Sequence, residues 1–163
     1  MVFFSFQEVE VMLNVGVILV ALFAQQQPVC EGLKSLSLNN VTITTAEFVA
    51  AGAKRPGRGG RAAQPDAPLP AYCRVAATLT PSPDSHIEME LWMPAENWNG
   101  KFLAVGNGGW AGNIETAAVA NALSRGYAAA SNDTGHKGAT AAFAVGHPEK
   151  VIDFGYRCRP GPR

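Results

Sequence analysis

Apolar and polar positions recur with different periods along the chain, and each period predicts a different element. Residues 11–24, "VMLNVGVILVALFA", are almost uninterruptedly apolar and give way to polar "QQQP". Such a run is too short for a comfortable membrane span and suits the core of a secretory signal. Two features count against a signal. The first ten residues carry Glu8 and Glu10 and no Lys or Arg, and cleavage after Ala24 puts bulky Leu22 where a small residue is wanted. A buried N-terminal strand or helix is the alternative, and both readings stay open. Neither provides a stable membrane anchor.

Further along, "LSLNNVTITTAEFV" alternates in part and is rich in Val, Ile and Thr, as strands are. Residues 51–70 have no hydrophobic period and mix Gly and Pro with Lys54, Arg55, Arg58 and Arg61, which reads as a solvated loop rather than an anion grip. Two period-two runs follow across a "PSPDS" turn. Cys73, Val75, Ala77 and Leu79 share one face of the first, and Ile87, Met89, Leu91 and Met93 share one face of the second. That pattern predicts an antiparallel hairpin. His86, Glu88 and Glu90 fall on its opposite face, where a solvated surface is a better account than a metal site.

"PAENWNG" reads as a turn and "KFLAVG" as a short buried strand. A helix is expected from Ile114 to Ser124, with Asn113 as N-cap, Glu115 complementing the dipole and Gly126 stopping it at C′. "YAAAS" is the next strand and ends in "NDTGH". A hairpin followed by strand, glycine turn, helix and strand predicts an α/β sheet with an antiparallel edge. Functional loops in such sheets gather at the carboxyl ends of the parallel strands, where "GNGGWAG" and "NDTGH" both fall.

Composition narrows the partners. The chain has 163 residues, 13 basic against 13 acidic, and 47% hydrophobic residues. That balance excludes wholesale disorder and gives no pull toward nucleic acid or an anionic membrane. Cys30 and Cys73 either close a long loop, worth about 4 kcal/mol in the chain-entropy model, or remain buried thiols. Cys158 is left over.

The glycine stretch "VGNGGWAG", residues 105–112, exposes bare N–H groups, because Gly106, Gly108 and Gly109 permit positive φ or close approach. Three readings compete. Gly106, Gly108 and Ala111 satisfy G-x-G-x-x-A, with Asp133 as a ribose ligand, although that fingerprint normally opens its domain. Alternatively, the loop is an oxyanion arm, "NGGW" standing where lipases and esterases carry "HGGG", with Asn107 in place of His. The third reading is a plain turn. No G-x-S-x-G accompanies it. "ALSRG" around Ser124 lacks the first glycine and falls at a helix end, and His136 comes too early for a triad histidine of this fold.

The stretches "YCRV", "ELWMPAENWNGKFLAVGNGGWAG", "RGYAAASNDTGH" and "GHPEKVIDFGYR" resemble the tannase and feruloyl esterase family of secreted α/β-hydrolases. The resemblance runs from about Cys30 to Arg157 and is most specific from Trp98 to Gly112. It implies hydrolysis of hydroxycinnamic or gallic acid esters, with a small phenolic ester as the partner and a secreted location. It also implies a pairing of Cys30 with Cys73, an oxyanion loop at Gly108, Gly109 and Trp110, and Asp133 and His136 as support beside the active site.

The family's serine, in a Gly-Cys-Ser motif, its acid and its histidine lie downstream, and its calcium-holding lid is inserted between strands. None of these falls within the matching stretches, so no cofactor is expected in this chain. After "DFGYR" the family continues as a helix, whereas this chain turns into "CRPGPR". The expectation is a partial α/β-hydrolase sheet, truncated before the nucleophile elbow and inactive alone. Residues 1–27 are then the signal or apolar segment, 28–157 the catalytic-domain part and 158–163 an atypical tail. A nucleotide-binding oxidoreductase piece and a non-catalytic module binding phenolics through Trp110 are the alternatives.

Overall fold

The computed structural model describes residues 29–54 and 68–158. The N-terminal segment 1–27, most of the basic loop (55–67) and the end of the tail (159–163) lie outside them. Five strands form one sheet: β1 (Val41–Val49), β2 (Tyr72–Leu79), β3 (Ile87–Pro94), β4 (Phe102–Val105) and β5 (Ala128–Asn132). Their order across the sheet is β1-β2-β3-β5-β4. The expected hairpin forms in full register, from Tyr72 opposite Pro94 to Leu79 opposite Ile87. β5 pairs antiparallel with β3 and parallel with β4. Helix α1 (Thr116–Leu123) makes the crossover between the two parallel strands.

Glu115, rather than Asn113, occupies the N-cap position of α1, and no side chain caps it there. Instead, the Glu115 N–H donates to Ser131 Oγ on β5 at 3.0 Å, while Asn113 Nδ2 bonds the Glu115 carboxylate at 2.7 Å. A tertiary hydrogen bond does the work expected of a local cap. The other end ends as predicted. Gly126 has φ +79°, and the N–H groups of Gly126 and Tyr127 reach the carbonyls of Leu123 and Ala122. Those two bonds define a Schellman stop, which needs a residue at ease with positive φ.

The core under α1 joins Val119, Ala120, Ala122 and Leu123 to Leu69, Tyr72, Trp92 and Ala129. Full burial of a valine or leucine stabilises by about 1.5–3 kcal/mol, so this one short helix anchors the crossover. Tyr72 and Trp92 stack at 4.8 Å, and they belong to the hairpin face expected to be solvated. Both faces of the hairpin are therefore covered in part, since Val75, Ala77 and Ile87 on the other face are buried too.

Glu90 is corrected by the same fact. Its carboxylate bonds Arg74 through Nε at 3.0 Å and receives the Trp92 indole N–H at 2.7 Å, and Arg74 also holds Glu47 at 2.9 Å. A half-buried ion pair replaces the solvated face. "KFLAVG" departs in the opposite sense. β4 is the sheet's edge, and Phe102 and Leu103 are 60% and 39% exposed. Short apolar runs predict burial only where something packs on both sides.

Beyond β5 come a 3-10 turn (Ala141–Ala144), helix α2 (Pro148–Ile152) and a π turn (Asp153–Arg157). Asp153 is fully buried and accepts from Ser85 Oγ and Arg157 Nη1. That pairing fastens the last turn to the start of β3. Cys30 and Cys73 form a disulfide, Cα to Cα 5.7 Å, and tie the chain before β1 to β2. No helix among the described residues is long and apolar enough to cross a membrane.

Candidate active site

The parallel pairing of β4 with β5 brings the two loops at their carboxyl ends side by side. Asn107 Nδ2 donates to the Asn132 carbonyl at 2.9 Å, and the Gly112 N–H donates to the Gly138 carbonyl at 2.7 Å. His136 supplies a third tie, its Nε2 lying 2.9 Å from the Trp110 carbonyl. A carbonyl oxygen can only accept, so that nitrogen carries the proton. The other ring nitrogen faces the Thr134 hydroxyl at 3.2 Å.

Aromatic rings cage the imidazole. His136 is 6% exposed and stacks on Phe143 at 3.7 Å, with Phe154 at 5.9 Å. Trp110 leans on Phe154 at 5.0 Å yet keeps 49% of its surface open. The indole is thus a supported aromatic surface beside the loop.

Asp133 holds its own loop in place. One carboxylate oxygen accepts the N–H groups of Glu88 and Gly135 at 2.9 and 3.0 Å, and the other pairs with Lys137 at 2.9 Å. Lys137 also pairs with Glu88, whose carboxyl it holds below the usual range. Burial pulls the Lys137 ammonium down, but these carboxylates outweigh it and leave its pKa raised. With both oxygens engaged and 1% exposure, Asp133 has nothing left for a ribose. The dinucleotide reading fails at that residue.

The N–H groups of the glycine loop divide sharply. Those of Ala111 and Gly112 are spent on the carbonyls of Gly108 and Gly138. Among the described residues, none accepts the N–H of Gly108, Gly109 or Trp110, and all three residues are exposed. Gly109 alone of the loop's first three glycines has positive φ, +57°, and an added Cβ at any of them meets nothing within 4 Å. The close approach expected there belongs to Gly112 instead. A Cβ on Gly112 would sit 2.3 Å from the His136 carbonyl oxygen. No sequence signal marked Gly112, since its partner is remote in the chain.

Asn107 carries an unusual imbalance. Its Nδ2 is bonded, but its Oδ1 is buried and has no partner among the described residues. A buried polar atom left unpaired costs roughly 1–3 kcal/mol.

Of the chain's three histidines, His136 is held by Trp110 and His147 by Asp84 at 3.0 Å, while exposed His86 lies 3.7 Å from Glu88. Ser124 sits at the end of α1 with its Oγ on the Ala120 carbonyl at 3.0 Å, a helix-end contact. A cleft of about 480 Å³ lies at that same end, between Pro70, Glu96 and Arg125, away from the glycine loop. Burial pushes the Cys158 thiol up to about 12, which leaves it poorly nucleophilic. Among the described residues no group of three or more His, Cys, Asp or Glu side chains could hold a metal ion.

The family model for tannase and feruloyl esterase matches residues 73–159. An uncharacterized esterase of Xanthomonas campestris pv. campestris is 43% identical over 136 residues, covering 82% of this chain and 23% of that protein. Feruloyl esterase C of Talaromyces stipitatus is 37% identical over 134 residues, 78% of this chain and 25% of that one. The crystal structure of feruloyl esterase B from Aspergillus oryzae aligns with a TM-score of 0.69 at 32% identity, covering 81% of this chain and 26% of that chain. The chain spans about a quarter of the length of these relatives.

Proposed function

Because the chain belongs to the tannase and feruloyl esterase family, we propose that its glycine loop is the oxyanion arm of a carboxylic ester hydrolase acting on phenolic acid esters. The observation that carries this reading is the set of three uncommitted N–H groups at Gly108, Gly109 and Trp110, beside a half-exposed indole. When a nucleophile adds to an ester carbonyl, the oxygen gains negative charge. An N–H already aimed at it stabilises that charge by about 3 kcal/mol, without reorganisation. Asp133 and His136 support the arm: Asp133 fixes the "NDTGH" loop to β3, and His136 fixes the arm to that loop. On this reading the nucleophile, acid and base come from the part of the enzyme that lies beyond the matching quarter. A secreted location accords with the Cys30–Cys73 disulfide, since such bonds persist in oxidising compartments.

The test has two arms. The chain by itself is assayed on methyl ferulate and is expected to give no turnover above buffer. Residues 29–158 are also grafted in place of the matching quarter of the Aspergillus oryzae enzyme, where turnover is expected. In the graft, Gly109→Ala, strained at φ +57°, or Gly108→Ala, whose new methyl would occupy the open space from which the ester oxygen approaches the N–H groups, should lower kcat about 100-fold and move KM far less, because the contact strengthens in the transition state. If both variants fold normally and keep their kcat, the loop is only a turn. Binding of ferulate by the chain alone without turnover, joined to an inactive graft, would favour a phenolic-binding module instead.

A further inference from the structure

We propose that Asn107 is the positioning residue of the glycine loop, acting through one hydrogen bond from its Nδ2 to the Asn132 carbonyl. The three uncommitted N–H groups of Gly108, Gly109 and Trp110 lie between two attachments. On the far side the loop is held twice, by His136 on the Trp110 carbonyl and by Gly112 on Gly138. On the near side, where the chain leaves edge strand β4, the side-chain tie among the described residues is that of Asn107, at 2.9 Å. β4 is paired along one side, with β5, and three of its four residues are exposed, Val105 alone being partly buried against the core. Little packing therefore fixes the direction in which the loop departs. The Asn107 amide does so by bridging the carboxyl ends of the two parallel strands.

The two ends of this amide do unequal work. Nδ2 makes the bond, while Oδ1 is buried with no donor among the described residues. Aspartate at this position keeps the idle oxygen and replaces the working nitrogen by a second acceptor facing a carbonyl. Histidine restores a donor at the same distance from the backbone, because its Nδ1 occupies the place of the amide Nδ2. Asn107→Asp and Asn107→His thus separate the bond from the shape of the side chain.

That the loop serves an oxyanion rests on the function proposed above, so the test is built in two parts. In the full chain, amide hydrogen exchange at Ala111 and Gly112, the loop's bonded N–H groups, is read by NMR. Asn107→Asp should speed it about 10-fold, the worth of one hydrogen bond, with the core amides of α1 unchanged and Asn107→His close to the parent. Unchanged exchange in Asn107→Asp, or equal loss in both variants, overturns the positioning role. In the Aspergillus oryzae graft, Asn107→Asp should lower kcat about 100-fold, as misaligned donors do, with KM nearly constant and Asn107→His recovering most of the loss. An exchange effect without a kcat effect upholds the tie and overturns the link to catalysis.

Discussion

At the candidate site Gly112 lies against His136 with no room for a side chain. The ideal Cβ of residue 112 would lie 2.3 Å from a backbone oxygen and 2.7 Å from the imidazole Cδ2. Backbone cannot swing aside as a flexible side chain can, so Gly112→Ala must separate the two loops. Overpacking of this kind costs about 1–3 kcal/mol. Because the displaced imidazole touches the Trp110 carbonyl and the Phe143 ring, the loss has a spectroscopic companion. A urea midpoint below the parent, together with a red-shifted tryptophan emission, is the expected result. A stability loss with unaltered emission would place the strain elsewhere.

At the scale of elements, the hairpin depends on a charge held half inside it. Burial pushes the Glu90 carboxyl up, but the bonds from Arg74 and the Trp92 indole outweigh that and leave it below its usual value. Arg74 is raised in turn, chiefly by Glu90. A carboxyl depressed by folding contributes stability that is present above the ordinary carboxylate pKa and is lost as pH falls through the folded value. Glu90→Gln should therefore cost about 1–2 kcal/mol at pH 7, the worth of a charged hydrogen bond. The difference from the parent should shrink at pH 3. Urea unfolding of both proteins at the two pH values measures it, and a gap that stays constant would mean that packing, not charge, is what Glu90 provides.

On the scale of the molecule, the described part is a small sheet covered by one short helix, and a long-range covalent link ties its start to its middle. The Cys30–Cys73 disulfide joins segments 43 positions apart. Closing a loop of that size removes about 4 kcal/mol of freedom from the unfolded chain in the entropy model. The Cys30→Ser, Cys73→Ser double variant should lose most of that in denaturant midpoint, while the hydrogen bonds between the two glycine-bearing loops persist below the transition. Peptide mapping without reductant is the companion measurement, and two freely alkylated thiols in oxidised material would refute the link.

Local chemistry was legible wherever cause and effect lie close in the chain. Alternation in "YCRVAATLT" and "HIEMELWM" dictated the hairpin, Gly126 dictated the helix stop, and strand-then-glycine order put both loops at the carboxyl ends of parallel strands. The stretches around "NGGW" also carried the family. Position within the sheet was not legible, because strand order is set by pairings between remote segments. "KFLAVG" has the composition of a buried strand and became an exposed edge, since β5 and not β4 pairs with β3. Glu90 alternates like a surface residue and lies against Trp92, because α1 packs over the hairpin face that alternation assigned to water. Gly112 has no local signature, and the motifs that single out Asn107 and His136 do not name their partners. Their roles exist only across the gap between two loops, and tertiary structure alone closes that gap.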